Sequence, residues 1–188
     1  MQRLEGTVTE LLPGMPASAK DVPAVPVPVI RDATLSEDGA YRFELFRRWS
    51  SGPIATWIML NPSTADHRAE DATVRRCMSF SRSFGCGAMT VVNLYAYRAT
   101  DPDALRLAAD PVGRNNDQYL TEAARRSADK DGPLIAAWGG LARPDRIAAV
   151  LALPGMDRLT ALAVTKAGQP KHPLYLAGNL RPQPWSTQ

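Results

Sequence analysis

An α/β fold of three layers, α/β/α, is the architecture this sequence predicts: a four-stranded parallel sheet with helices on both faces and an antiparallel strand at its N-terminal edge. Three observations lead there. Short apolar runs alternate with segments of helical period across residues 54–164, the pattern of a parallel sheet covered by helices. Those runs end in polar or glycine punctuation, at Asn61-Pro62-Ser63, Asn93, Gly139-Gly140 and residues 165–172. One segment, 41–49, which alternates from Tyr41 to Leu45, precedes them all.

The elements follow in order. Residues 1–28 are rich in proline and lack periodicity, which favours extended or polyproline conformation. Residues 1–40 are therefore set apart as a proline-rich extension, and 41–188 as one α/β domain. In 41–49, Tyr41, Phe43, Leu45 and Trp49 fall on one face and Arg42, Glu44 and Arg48 on the other, a half-exposed strand. The turn Ser50-Ser51-Gly52-Pro53 then predicts an antiparallel hairpin with 54–60. That next run is almost wholly apolar, as in a strand covered on both faces. Pro62 fixes its own φ and keeps Asn61 out of helical conformation, so the strand must end in a polar turn.

A helix follows over 71–84, with Val74, Cys77, Met78, Ser81 and Phe84 at helical spacing and Gly85-Cys86-Gly87 to stop it. Residues 88–95 form a second buried strand, and 116–127 a helix with Tyr119, Leu120, Ala123 and Ala124 inward. A third strand spans 133–138, a short helix 143–151, and a fourth strand 159–164.

Composition limits the function. A chain of 188 residues with 45% hydrophobic and 22% charged residues can bury an ordinary single-domain core. The net charge of +3 is compatible with a polyanionic partner without requiring one. Cys77 and Cys86 lack the spacing of a metal or iron–sulfur motif, so buried free thiols are expected, and no cofactor or metal. No run approaches a membrane span, and 1–13 carry charges without a long apolar core. A cytoplasmic monomer away from membranes is the expectation.

In open parallel sheets, ligands bind beyond the carboxyl ends of the strands. That rule gathers Asn61, Asn93, Tyr95, Gly139-Gly140 and 165–172 on one rim. Asn61 offers a donor and an acceptor there, although Asn, Pro and Ser are also ordinary turn residues. Asn93 places a carboxamide in an apolar strand, where it needs partners or a ligand; an amide can read the edge of a planar heterocycle. His172, before Pro173, sits in an extended loop after the last strand, and His67 follows the first turn. Asp66 and Asp71 are candidates for activating water, Asp71 being also a candidate helix N-cap. Arg75, Arg76, Arg98, Lys166, Lys171 and Arg181 flank these turns and could grip phosphates, or simply be solvated.

The order strand–NPS turn, VVNLYAYR, AWGG, then a last strand with an HPL loop resembles the uracil-DNA glycosylase superfamily over roughly residues 54–177. YRFELFRRW, LNPSTAD, DATVRRC, VVNLYAYRATDP and KAGQPKHPLYL more closely resemble the bacterial and phage domain of unknown function 1643 family. The superfamily resemblance implies a uracil-DNA glycosylase-like fold. It assigns Asn61-Pro62 to positioning water or contacting the base, Asn93 to reading the base edge, and His172-Pro173 to stabilising the departing base anion. Leu174 would be the wedge in the duplex. Tyr95, Phe80 and Phe84 are candidates to stack on the base, and Ser63, Arg75, Arg98, Lys166 and Lys171 to contact DNA.

The sequence departs from the superfamily pattern in three ways. Residue 61 is Asn where many members carry an acid, no serine follows His172-Pro173, and the iron–sulfur cysteines are missing. A damaged or modified base is then expected as the target at least as much as uracil, in single- or double-stranded DNA. The chemistry would be hydrolysis of an N-glycosidic bond after base flipping. Alternatives are a nucleotide- or modified-base-binding module, or a transferase or hydrolase on the same fold.

Overall fold

A computed structural model describes residues 29–63 and 71–186. Its centre is a mixed seven-stranded sheet in the order β1-β2-β4-β3-β5-β6-β7. The strands are β1 (Ile30–Leu35), β2 (Arg42–Arg48), β3 (Ile54–Met59), β4 (Ala88–Asn93), β5 (Leu134–Ala136), β6 (Leu159–Ala161) and β7 (Gln183–Pro184). The helices are α1 (Ala72–Ser83), α2 (Pro102–Leu107), α3 (Asn116–Asp129) and α4 (Pro144–Leu151).

β3 pairs parallel with β4 on one side and β5 on the other, and β5 pairs parallel with β6. All six residues of β3 and all six of β4 are buried, as in strands covered on both faces, with Thr56, Thr90 and Asn93 the polar residues among them. Successive β3 side chains serve opposite faces. Trp57 and Met59 join a cluster with Val74, Cys77, Met78 and Phe80 of α1. Ile58 joins the other cluster, with Leu120, Ala123 and Ala124 of α3 and Ile147 and Val150 of α4. Within the first cluster, the Trp57 indole Nε1 donates to Ser81 Oγ at 3.0 Å, and Ser81 Oγ donates to the Cys77 carbonyl at 2.8 Å. A buried indole N–H thus finds its partner inside the core.

The hairpin expected between 41–49 and 54–60 does not form. β2 pairs antiparallel with β1 and β4, so β4 lies between β2 and β3, and the outer strand on this side is β1. The connection Ser50–Pro53 crosses the start of β4 instead of turning back on a neighbour. Gly87 is the crossing point. Its carbonyl accepts from Trp49 N and Ser50 N at 3.0 Å each, and a Cβ there would stand 2.1 Å from the Ser51 carbonyl oxygen. Only glycine fits so close a backbone approach.

β2 also departs from simple alternation. Thr34 pairs with Glu44 but Leu35 with Arg42, so the register skips Phe43. Such an irregularity re-aims the side chains beyond it. Phe43 stacks on Tyr119 of α3 and Glu44 Oε2 accepts from Arg126 Nη2 of α3, so two successive residues serve the α3 side. Arg42 is thereby returned to the side of Leu45, where alternation would have set the two apart.

β1, β7 and α2 were not expected. β1 precedes residue 41, so the boundary expected there falls between two strands of one sheet. β7 is two exposed residues long, too short for any pattern. α2 starts on a proline capped by Asp101, whose side chain accepts from Asp103 N. No described helix is long and apolar enough to cross a membrane.

Candidate functional site

The turn after β3 and the segment after β4 are laced together. Leu94 N donates to the Met59 carbonyl and Tyr95 N to the Leu60 carbonyl, which continues the parallel ladder past the strand ends. Ala99 N then donates to the Pro62 carbonyl at 3.0 Å, and Asn61 Nδ2 returns a bond of 2.8 Å to the Ala99 carbonyl. Asn61 Nδ2 is thus engaged in holding the turn. Its Oδ1 accepts no hydrogen bond among the described residues, and Asn61 lines a cavity.

That cavity, about 190 Å³, is lined by Asn61, Ser63, Asp71, Asn93 and His172 together with Arg42, Thr73 and Thr100, between apolar walls that include Leu45, Met59 and Val91. It lies at the carboxyl ends of β3 and β4, as expected for the rim of a parallel sheet. Its size is below the range of drug-sized pockets and suits one small ring or anion.

Asp71 is the N-cap of α1. Its Oδ1 accepts from Val74 N at 2.7 Å and its Oδ2 from Ser63 Oγ at 3.3 Å. Both oxygens are therefore engaged, while the charge remains on the cavity wall. Asn93 is 3% exposed, and among the described residues its carboxamide makes no hydrogen bond. Its backbone carbonyl is held by Asn116 Nδ2 at 2.9 Å. Asn93 lines the cavity, where its carboxamide is open to the edge of a ligand.

His172 reaches the cavity on a folded-back loop. Lys171 N donates to the Ala163 carbonyl at 2.8 Å, and Gly139 N to the Pro170 carbonyl at 2.9 Å. Arg76 Nη2 of α1 donates to the Leu176 carbonyl just beyond. The ring's Nδ1 accepts from Leu174 N at 3.3 Å, so the proton of the neutral imidazole resides on Nε2. Burial lowers the His172 pKa, opposed by the charge of Asp71. At neutral pH the ring is an uncharged donor.

Several expected residues lie elsewhere. Tyr95 is buried and lines a different cavity, of about 680 Å³, with Leu60, Leu105, Leu141 and Pro144; its hydroxyl accepts from Arg143 N at 3.3 Å. This larger space lacks the polar set of the smaller one. Phe80 is sealed in the core between Trp57 and Phe84, so it cannot stack on a ligand. Phe84 packs there too, as the C-cap of α1. Pro62 is buried, its role being the carbonyl that receives Ala99 N.

Leu174 is half-buried, whereas Tyr175 beside it is 86% exposed, its ring centroid 6.3 Å from that of His172. Arg98 is half-buried and donates through Nη1 to the Gly39 carbonyl at 2.9 Å. Arg75, Lys166 and Lys171 are exposed. Arg181 is exposed, with its guanidinium over Phe84. Asp66 and His67 lie outside the described residues, as does the proline-rich segment 1–28.

Arg42 is the cavity residue that pattern reading missed, because alternation assigned it to the solvent face. It is 7% exposed, and its Nε has no hydrogen-bond partner. Burial, then the charge of neighbouring Arg98, lower its pKa to about 10, against the opposing pull of Asp71. It remains a cation at neutral pH. Both cysteines are free and buried; burial raises the Cys77 thiol far out of the reactive range. Among the described residues, no group of three or more His, Cys, Asp and Glu could hold a metal ion.

Residues 42–174 match the model of a protein family described as "Protein of unknown function (DUF1643)". Neither a curated protein nor a solved structure matches the chain.

Proposed function

The chain belongs to the DUF1643 family, and we propose that it is a DNA glycosylase-like hydrolase that removes a damaged or modified base. The observation that carries this reading is the meeting of Asn61, Asn93 and His172 in one small cavity at the strand ends. On this reading the fold is the three-layer, uracil-DNA glycosylase-like arrangement, centred on the parallel strands β4, β3, β5 and β6.

The steps use the groups as they stand. A flipped base enters between the apolar walls, and the Asn93 carboxamide reads its edge, donating and accepting at once. As the C1′–N bond breaks, its electron pair moves to the base. His172 Nε2–H donates to the oxygen where negative charge develops. Water held by Asn61 Oδ1 adds to C1′ and gives its proton to bulk solvent, while the base departs as an anion. Tyr175, exposed beside His172, is placed to fill the gap the base leaves in the stack, a role the half-buried Leu174 serves less well. Lys166, Lys171 and Arg75 supply the contacts to phosphate.

One observation favours a second reading, a module that binds a modified base without cleaving it. Both oxygens of Asp71 are already engaged, so the described wall offers no idle carboxylate to take a proton from water.

A panel of labelled single- and double-stranded DNAs carrying deaminated, oxidised and phage-type modified bases tests both. Alkali-sensitive abasic sites at one base, lost in Asn61→Ala and His172→Ala variants that melt like the parent, are the expected result. Tight binding without abasic sites would replace the enzyme by the module. Neither cleavage nor binding across the panel would overturn both.

A further inference from the structure

We propose that Arg42 is a recognition residue for an anionic oxygen, so that the cavity accepts a planar heterocycle carrying an oxyanion in preference to a neutral one. The inference rests on the reading of the cavity as a base site, but not on cleavage.

The argument starts from the cost of the unliganded state. A guanidinium with 7% exposure has given up most of its water. Among the described residues it makes no hydrogen bond or ion pair with a side chain, and its Nε is orphaned. Asp71 attracts it electrostatically but forms no hydrogen bond with it, its oxygens accepting from Val74 N and Ser63 Oγ. A buried cation left in this condition weakens the fold, and the strand irregularity at Phe43 is what puts it there.

A guanidinium offers paired donors in a fixed fork, which match a carboxylate or an ionised ring oxygen. The rest of the wall selects the body that carries it. Leu45, Met59, Val74 and Val91 offer apolar contact to flat faces, and Asn93 offers one donor and one acceptor with no protein partner. A lone phosphate would use neither feature. A ring with an oxyanion uses both.

Calorimetric titration of the full chain at neutral pH tests the idea. The probes are pyrimidine-2,4-dione, its 5- and 6-carboxylates, and inorganic phosphate. Arg42→Met and Arg42→Lys are run beside the parent. A ring carboxylate is expected to bind the parent about tenfold to a hundredfold more tightly than the neutral ring, the range of a charge-assisted hydrogen bond. Arg42→Met should erase that preference while keeping the weaker ring binding, and Arg42→Lys should restore part of it.

Without ligand, Arg42→Met should melt at or above the parent temperature, because an unpaired buried charge is gone. Equal affinity for neutral and anionic rings, or a preference that survives Arg42→Met, would overturn the inference and leave the base site standing. Phosphate binding as tightly as the ring carboxylates would overturn the heterocycle. A markedly lower melting temperature for Arg42→Met would make the residue a structural one. Binding of no ring at all would overturn the base site as well.

Discussion

Replacing Asp71 separates the two jobs open to that residue. Alanine removes the acceptor of Val74 N at 2.7 Å and of Ser63 Oγ at 3.3 Å. Loss of an N-cap costs about 1 kcal/mol, and loss of the longer hydroxyl bond about 0.5–1 kcal/mol. The sum, about 1.5–2 kcal/mol, corresponds to a fall of about 3–8 °C in a chain of this size. Asparagine caps as well as aspartate, so Asp71→Asn should stay within about 0.5 kcal/mol of the parent.

What asparagine removes is the charge. Asp71 opposes the lowering of the His172 pKa by burial, so the imidazole of Asp71→Asn should titrate at lower pH than in the parent. Thermal melting of both variants, with an NMR titration of the His172 ring, makes the measurement. If Asp71→Asn loses as much stability as Asp71→Ala, capping is not what the residue contributes. If Asp71→Asn melts normally but no longer cleaves a DNA that the parent cleaves, the carboxylate activates water, and its engagement by Ser63 and Val74 does not prevent that.

Two further outcomes follow from single contacts. Ser81→Ala leaves the buried Trp57 indole N–H without its acceptor and should cost about 1–3 kcal/mol in urea unfolding. Ser81→Thr, which keeps the hydroxyl, gives the comparison; equal losses would show that volume rather than the bond is felt. His172 has a folded-state pKa below its unfolded value. Its contribution to stability is therefore present above the unfolded value, near pH 6.5, and is lost as pH falls through the folded value. His172→Asn should flatten that part of the stability–pH curve, and an unchanged slope would refute the assignment.

Local chemistry alone accounts for much of this molecule. The apolar runs of β3 and β4, the helical spacing of Val74, Cys77, Met78 and Ser81, and the Asp71 cap are all relations among residues a few positions apart. Side-chain period and backbone caps impose them whatever the rest of the chain does. The gathering of Asn61, Asn93 and His172 was legible for a related reason: Asn61 follows β3, Asn93 ends β4 and His172 lies in the loop after β6, and in a parallel sheet those ends share a rim.

The partner of β2, the aim of Arg42 and the face of Tyr95 were decided at longer range. Residues 50–53 read as a hairpin turn, yet the chain crosses the start of β4 at Gly87, because parallel neighbours occupy both edges of β3. Arg42 reads as solvent-facing, yet a skipped register against β1 carries it into the cavity wall. Tyr95 reads as a rim residue beside Asn93, but beyond the strand end its ring enters the opposite cluster and meets Arg143. Pairing and register are settled by competition among distant segments for the same hydrogen bonds and the same buried area, and no short stretch of sequence contains that competition.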